Sequence, residues 1–337
     1  MKLSVALALL WCLFFSKQTL AALNYQDAIK ISQSDDQNHY YNALKNILVP
    51  RVVGTDGWKN VQNFIIDEMK QMGMTVELDS FMDNTPIFGK LNFVNIIGKI
   101  NPSADKFLTL SAHYDSKYFP DGKFVGAIDS AVPCALMLNI VKTTLPLIQQ
   151  VLADKNLGLM LIFFDGEEAF KDWSDVDSLY GSRHLAKKWD ETRYKNGKEI
   201  DRINVLVLLD LIGSTNARFV CTTPNTCALN KRLRQIENTL QAASSLRSVQ
   251  NGPASMFLNS FRNSGVSDDH LPFQYRGVSI LHLIPTSFPH TWHTNEDNEK
   301  NLNQDSILNF NRIMRVFVLD YLTTCANSPN SRICTFK

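Results

Sequence analysis

Four short apolar runs, rich in branched and aromatic residues, mark the middle of the chain. They are the segments 107–112, 157–164, 203–209 and 278–284. Each run is bounded by polar residues, and helix-like stretches lie between them. Strands that are buried on both faces of a sheet have this pattern. We therefore predict an α/β fold, a three-layer sandwich in which helices flank a central mixed, mostly parallel sheet.

Helical periodicity is clearest between and after these runs. The best helical candidates are the segments 132–145, 228–243 and 307–322. Nearer the N-terminus, Thr55 is predicted to cap a helix whose apolar positions recur as far as Met69 and which ends near Gly73. Apolar and polar residues then alternate over 74–81, which predicts a half-buried strand.

The first residues have the pattern of a secretory signal peptide. A basic Met1-Lys2 start precedes an apolar run over 3–15, and Ala21-Ala22 offers small residues for cleavage. The apolar run is shorter than the roughly 20 residues that a membrane-spanning helix needs. We expect residues 1–21 to be the signal, and residues 22–337 to form one domain that is secreted and has no membrane attachment.

Charge and cysteine content narrow the function classes. Lys plus Arg number 34 and Asp plus Glu number 33, a net charge of +1 that gives no reason to expect nucleic-acid binding. Six cysteines less Cys12 of the signal leave five, so at least one is unpaired within the chain. Cys221 and Cys227, like Cys325 and Cys334, could close a short loop, although the sequence does not determine the pairing.

Side chains that can bind metal follow the apolar runs. In chain order they are His113 and Asp115, then Glu167 and Glu168, then Asp210, and after a longer loop His293. Asp129 is added at the start of a predicted helix. Each has an ordinary explanation alone, such as a helix cap for Asp129 or a solvated pair for the two glutamates. Because ligands in open α/β sheets bind outside the carboxyl ends of the strands, we expect these groups to converge there.

The chemistry of this set points to zinc. Histidine nitrogens and carboxylate oxygens are zinc ligands, and a catalytic site keeps a coordination position open. Crowded carboxylates repel one another unless a cation lies between them. Neighbouring side chains such as Glu167 and Glu168 point in different directions, so one can bind metal while the other acts as a general acid or base.

Longer segments resemble the glutaminyl-peptide cyclotransferases, a family that shares the fold of the M28-type zinc aminopeptidases. The similarity extends from Tyr40 to Leu322, and its strongest segments are 113–118, 127–134, 164–170, 177–183, 209–213, 267–270 and 288–298. The resemblance implies cyclisation of the N-terminal Gln of peptides and proteins to pyroglutamate with release of ammonia, and N-terminal Glu is a second candidate substrate. It also implies one Zn²⁺ per chain, and we expect a monomer.

The resemblance also implies residue roles. Asp129, Glu168 and His293 correspond to the zinc ligands of the family, and Glu167 to the residue that shuttles protons. The carboxylates of the family's hydrogen-bonded active-site network correspond to Asp210 and Asp268. The residues that correspond to the lining of the substrate pocket are Trp173, His282, Phe288 and Trp292.

Two positions depart from the family pattern. Its vertebrate members form a disulfide between the positions of Ala112 and Cys134, which cannot form here, so Cys134 is expected to be a buried free thiol. His290 lies in a loop that differs from the usual one, and we expect it to be an exposed loop residue, with a variation of the pocket as the alternative.

Two other functions stay open at this point. An M28-type aminopeptidase with two zinc ions could complete a second metal site with His113, Asp129 and Asp210. The residues that favour a cyclase over this peptidase are Trp173, Asp268 and Trp292. A non-catalytic secreted binding protein on the same fold would be expected to lack a ligand or the base, and this sequence lacks neither.

Overall fold

The computed structural model describes residues 23–263 and 265–336, so the predicted signal peptide lies outside the described residues. The helices are α1 (Tyr25–Ser32), α2 (Gln37–Ile47), α3 (Asp56–Gln71), α4 (Val132–Leu152), α5 (Tyr180–Glu191), α6 (Cys227–Ala242), α7 (Leu271–Gln274) and α8 (Gln304–Asn327). The strands are β1 (Thr75–Thr85), β2 (Gly89–Ile100), β3 (Lys106–His113), β4 (Leu157–Phe164), β5 (Arg193–Tyr194), β6 (Gly197–Lys198), β7 (Ile203–Leu209), β8 (Phe219–Cys221), β9 (Phe257–Phe261) and β10 (Ile280–Leu283).

A six-stranded sheet in the order β1-β2-β4-β3-β7-β10 forms the centre of the molecule. Strands β4, β3, β7 and β10 are mutually parallel, whereas β1 and β2 join antiparallel at one side. All four apolar runs become parallel strands, with ends that differ from the predicted ones by at most two residues. The predicted mixed, mostly parallel sheet is confirmed.

Helices cover both faces of this sheet. Neighbouring side chains on a strand point to opposite faces, so the apolar strands present a core to the helices on each side. Leu108 of β3 belongs to a core shared with α4 and α8, while the preceding Phe107 packs in a second core with Leu185 and Trp189 of α5. The three-layer arrangement is therefore confirmed. Thr55 caps α3 as predicted, since its side chain accepts a hydrogen bond from the Trp58 N–H.

The edge of the sheet differs from the prediction. Strand β1 extends beyond the predicted 74–81, lies at the edge of the sheet and is mostly exposed. Strand β2 was not predicted at all. It contains the buried polar residue Asn95, whose amide donates to Asp79 Oδ2 at 2.9 Å, and such a pairing becomes visible only when β1 and β2 lie side by side.

The segment Ala127–Leu152 is long and apolar enough to cross a membrane, and among the described residues it is the single segment of that kind. Of its most apolar stretch, 72% is buried inside the protein. Its apolar character therefore has a structural explanation as a core helix.

Both short cysteine loops close. Cys221 bonds to Cys227 and Cys325 bonds to Cys334, as the spacing allowed. Cys134 is a buried free thiol, as expected, and its Sγ lies 3.1 Å from the carbonyl oxygen of His113. Structural disulfides are typical of proteins that fold in an oxidising compartment.

The central strand provides a test of the core. Leu161 of β4 is completely buried, and Leu161→Ala is expected to lower the free energy of unfolding by about 2–5 kcal/mol, since it leaves a cavity. Leu78 of β1 is 52% exposed, so Leu78→Ala should change the free energy by less than about 0.5 kcal/mol. Urea unfolding of both variants measures the difference, and equal losses would contradict this placement of the core.

Candidate active site

Three of the predicted metal ligands meet at the carboxyl ends of the parallel strands. His293 Nε2 lies 3.4 Å from Asp129 Oδ2 and 3.2 Å from Glu168 Oε1. Each residue offers one ligand atom, and these atoms all lie within 4.8 Å of one another. Residues that are far apart in sequence are thus brought into the geometry of a metal site.

The unsatisfied atoms of this group fit a bound cation. Asp129 Oδ2 and Glu168 Oε1 are buried, and neither has a hydrogen-bond partner among the described residues. A buried carboxylate oxygen without a partner is costly, because it has lost its water and gained nothing. A divalent cation between Asp129, Glu168 and His293 would satisfy both oxygens, and two carboxylates with one imidazole suit zinc.

A tight turn after β4 separates the two neighbouring glutamates. Gly166 has φ +63°, and a Cβ at this position would lie 2.4 Å from the Phe93 ring, so the turn requires glycine. The N–H groups of Glu167 and Glu168 then donate to the two carboxylate oxygens of Asp115, at 3.1 and 3.3 Å. Glu168 consequently joins Asp129 and His293 in the group of possible metal ligands, which we call the metal group, while Glu167 lines the adjacent pocket.

The start of α5 holds the same turn from the other side. The N–H groups of residues 179–181 donate to the carbonyls of residues 165–167 at 2.8–2.9 Å. The first N–H groups of a helix have no partner within the helix, so they are available for such contacts. The acidic turn is therefore fixed by backbone contacts on one side and by Asp115 on the other.

Burial governs the electrostatics of the pocket carboxylates. It raises the pKa of Glu167 well above the usual range, an effect that His113 opposes and that Glu168 and Asp268 reinforce. Burial likewise raises the pKa of Asp210 to about 6. A carboxyl group with a raised pKa can hold and release a proton near neutral pH, as a general acid or base must.

Asp210 and Asp268 line the same pocket as Glu167, but each is hydrogen-bonded elsewhere. Asp210 Oδ1 accepts from Ser130 Oγ at 2.6 Å and from the Leu211 N–H at 2.8 Å. Asp268 Oδ2 lies 2.7 Å from His282 Nε2. The two carboxylates are thus positioned by their own partners, and a direct network with Glu167 stays a prediction.

The pocket beside the metal group has a volume of about 430 Å³, within the range of small-ligand sites. Trp173, Phe288 and Trp292, predicted as pocket residues, line it with rings that are partly exposed. The Phe288 and Trp292 rings lie 4.8 Å apart, and the Trp292 ring stacks on His293 at 4.0 Å. The aromatic wall therefore begins directly at the metal group.

The structure places His282 away from this lining. Its side chain is buried and hydrogen-bonded to Asp268, and its ring lies 4.2 Å from that of His270. Its geometry is that of a residue that orients a pocket carboxylate. His290 is exposed, as expected for a loop residue.

A second group of possible ligands adjoins the first. His113 Nε2 lies 3.0 Å from Asp129 Oδ1 and 3.7 Å from Asp210 Oδ1, and the ligand atoms of these three residues also lie within 4.8 Å of one another. His113 Nδ1 lies 3.4 Å from Asp115 Oδ1. The residues that a two-metal peptidase would need are therefore present and close together.

Two residues at the site were missed by the sequence analysis. Lys117 lines the pocket, and its Nζ lies 3.2 Å from Glu168 Oε2. Its position within the matching segment 113–118 was a signal that could have identified it. The other, Arg51, lies far from every motif, and no sequence signal indicated it.

Arg51 is completely buried and binds the backbone on both sides of the metal group. Its Nε donates to the Tyr114 carbonyl at 2.8 Å, and its Nη2 donates to the carbonyls of Gly126 and Asp129 at 3.1 and 3.3 Å. Its Nη1 donates to the carbonyl of Val125. One guanidinium therefore ties the segment after β3 to the turn that carries Asp129.

Comparison with known proteins places this site in a family. The model of peptidase family M28 matches residues 95–318. A glutaminyl-peptide cyclotransferase of Drosophila melanogaster is 43% identical over 301 residues, which cover 87% of this chain and 83% of the relative. One of Bos taurus is 41% identical over 320 residues, which cover 90% of this chain and 87% of the relative. The crystal structure of the Macrostomum lignano glutaminyl cyclase superposes with a TM-score of 0.83 at 32% identity, covering 91% of this chain and 96% of the other.

The Arg51 contacts generate a prediction about metal binding. Arg51→Lys removes the fork of donors that joins the two segments, so the Asp129 carboxylate should lose its fixed position. We expect the affinity for Zn²⁺ to fall by about 10–100-fold, the range typical of residues that orient metal ligands. Competition with a chromophoric chelator measures it.

Arg232→Lys is the matched control, because Arg232 pairs with Asp320 at 2.6 Å and contacts none of the site residues. Zinc affinity in this variant should equal that of the unmodified protein. An Arg51→Lys protein that binds Zn²⁺ with unchanged affinity would show that the turn keeps its geometry without the guanidinium.

Proposed function

Because this chain belongs to peptidase family M28, as one of its glutaminyl-peptide cyclotransferases, we propose that it converts the N-terminal Gln of peptides and proteins into pyroglutamate. It acts as an acyltransferase on a single substrate residue. The α-amino nitrogen of Gln bonds to the γ-carboxamide carbon, the bond from that carbon to the amide nitrogen breaks, and ammonia leaves. The substrate supplies both nucleophile and electrophile. The enzyme therefore has to bind one Gln residue in a conformation suited to ring closure, and it does not have to bring two molecules together.

The observation that carries this proposal is the position of Glu167. It lines a pocket with aromatic walls immediately beside the metal group of Asp129, Glu168 and His293. A proton carrier and the residues that would hold an electrophilic metal ion therefore border the same small space. That pairing is what an amide attacked by its own amine requires.

Asp129, Glu168 and His293 are the residues that would hold one zinc ion. When bound, zinc supplies a Lewis acid that polarises the γ-carbonyl of the substrate Gln. Support for this ligand set comes from the two buried carboxylate oxygens, which have no hydrogen-bond partner among the described residues. Lys117, close to Glu168 Oε2, adds positive charge on the pocket side of the group.

Glu167 moves the proton in this mechanism. As a carboxylate it accepts a proton from the attacking α-amine, and as a carboxylic acid it returns that proton to the departing nitrogen. Its raised pKa favours the second step, since a carboxyl that ionises too readily is a poor acid. Asp210 and Asp268, held by Ser130 and His282, keep negative charge near the amine and so favour its approach.

The aromatic residues exclude water from the reaction. Trp173, Phe288 and Trp292 form apolar walls around a pocket that also contains Glu167. Water that reached the polarised carbonyl would hydrolyse the side chain to Glu instead of allowing ring closure. Apolar walls that exclude water therefore favour attack by the α-amine of the substrate over attack by water.

The sequence and the disulfides support a location for the enzyme outside the cell. We propose that residues 1–21 are removed as a signal peptide and that residues 22–337 act outside the cell as a single monomeric domain. The two disulfides support this setting. The substrates are peptides and proteins with N-terminal Gln, and neither nucleic acid nor a membrane takes part.

A two-metal aminopeptidase is the second candidate, because His113, Asp129 and Asp210 form an adjacent group of possible ligands. The two functions differ in product. A peptidase releases the first residue and shortens the chain, whereas a cyclase releases ammonia and leaves the number of residues unchanged.

Mass spectrometry of a Gln-initiated peptide separates these functions. With purified protein we expect the peptide to lose the mass of one ammonia, and we expect this reaction to stop when zinc is removed with a chelator and to return on addition of Zn²⁺. Metal analysis of the active protein should find one zinc per chain. Free Gln among the products, together with two zinc ions per chain, would establish the aminopeptidase instead.

The role of Glu167 is tested by Glu167→Gln. This change keeps the size of the side chain but removes its ability to carry a proton, so turnover is expected to fall by about 10²–10⁴-fold. The zinc content should stay the same, because Glu167 does not belong to the ligand group. Glu191→Gln, at an exposed residue of α5, is the matched control. A Glu167→Gln protein with most of its activity would exclude Glu167 as the proton carrier.

A further inference from the structure

A second, larger groove opens beside the active-site pocket. Its volume is about 990 Å³, and it shares Trp173 and Ser267 with the pocket. Its walls come from the end of β1, from the segment 173–187 that leads into α5, and from α7 with the residues that follow it. We call it the α5–α7 groove.

The floor and rim of the α5–α7 groove present apolar side chains to solvent. Tyr275 is 78% exposed, Met82 52% and Trp173 42%. Single exposed apolar residues are common on protein surfaces and need no explanation. These three line one continuous groove, which is the arrangement expected where a chain is bound.

The same groove carries cations without counterions. Arg183, Lys187 and Arg276 line it, and none of them forms an ion pair with another residue that the structure describes. By contrast, Lys188 next to Lys187 pairs with Asp79 at 2.8 Å.

Two of these cations are held in place by neutral acceptors. Arg183 Nε donates to the Ser178 carbonyl at 2.9 Å, and Arg276 Nη1 donates to the Pro272 carbonyl at 2.8 Å. Their charges are thereby oriented but not neutralised. The carboxylates that line the groove are Asp83 and Asp175, so three cations with no described ion pair face two carboxylates.

We propose that the α5–α7 groove binds the second to fifth residues of the substrate peptide and favours acidic side chains among the third to fifth. The proposal rests on the proposed cyclase function. Cyclisation consumes the first residue alone, so the rest of the peptide has to leave the pocket, and Trp173 and Ser267 form a shared border with the groove. Four extended residues span roughly 13 Å, at about 3.3 Å each.

Each part of the groove has a function in this arrangement. Tyr275 and Met82 contact the apolar parts of the peptide, while Lys187 and Arg276 pair with its carboxylates. An exposed pair of this kind contributes about 0.2–1 kcal/mol, which corresponds to roughly 1.5–5-fold in affinity. The groove therefore ranks substrates by sequence without being needed for the chemistry.

The test compares three substrates with the full chain loaded with zinc. They are a Gln-Ala dipeptide amide, the acidic pentapeptide amide Gln-Ala-Glu-Glu-Ala and the basic pentapeptide amide Gln-Ala-Lys-Lys-Ala. The unmodified protein should prefer the acidic over the basic pentapeptide by about fivefold in kcat/KM, mainly through KM. The double variant Lys187→Glu/Arg276→Glu should reverse this preference and leave the dipeptide within about twofold.

Lys231→Glu is the matched control, since Lys231 is an exposed residue of α6 outside the groove. It should retain the preference for the acidic pentapeptide. Tyr275→Ala should raise KM for both pentapeptides but not for the dipeptide. The proposal is overturned if the double variant treats the two pentapeptides as the unmodified protein does, or if dipeptide and pentapeptides lose activity equally. Failure of the unmodified protein to release ammonia from the dipeptide would refute the cyclase function itself.

Discussion

The concentration of buried negative charge at one end of the sheet is the constraint on which the rest of the site depends. Asp129, Glu167 and Glu168 all lie at this end of the sheet, and all three are buried. Carboxylates in such surroundings must find cations, hydrogen-bond donors or protons. All three solutions occur in this site. Asp129 and Glu168 leave oxygens free for a cation, Asp115 takes two backbone N–H groups, and Glu167 has a pKa raised towards the protonated form.

This division explains how two neighbouring glutamates come to have different roles. Both follow the same strand, and both have the same intrinsic chemistry. The turn at Gly166 and the two N–H contacts to Asp115 decide that Glu168 joins Asp129 and His293, while Glu167 lines the pocket. The same backbone contacts that build the turn therefore separate the proposed metal ligand from the proposed proton carrier.

Much of the fold was predictable, because burial on both faces leaves a continuous apolar signature. The runs that became β3, β4, β7 and β10 were recognised for this reason. The Thr55 cap and the periodicity of the long helices were recognised as well. Strand β2 was not recognised, since its polar residue Asn95 is satisfied by Asp79 of the neighbouring strand. Trp173, Phe288 and Trp292, three of the four expected pocket residues, line the pocket, whereas His282 lies against Asp268 instead.

The sequence by itself determined the class of fold, the residues able to bind metal and the family, because strand periodicity, ligand chemistry and long motifs are all local properties. The tertiary structure alone decided how those residues are held. Arg51 acts through backbone carbonyls, which every sequence possesses, so nothing in the order of residues distinguishes it from any other arginine. The α5–α7 groove likewise exists because β1, α5 and α7 meet in space. Contacts between distant segments follow from packing, and packing is a property of the folded chain.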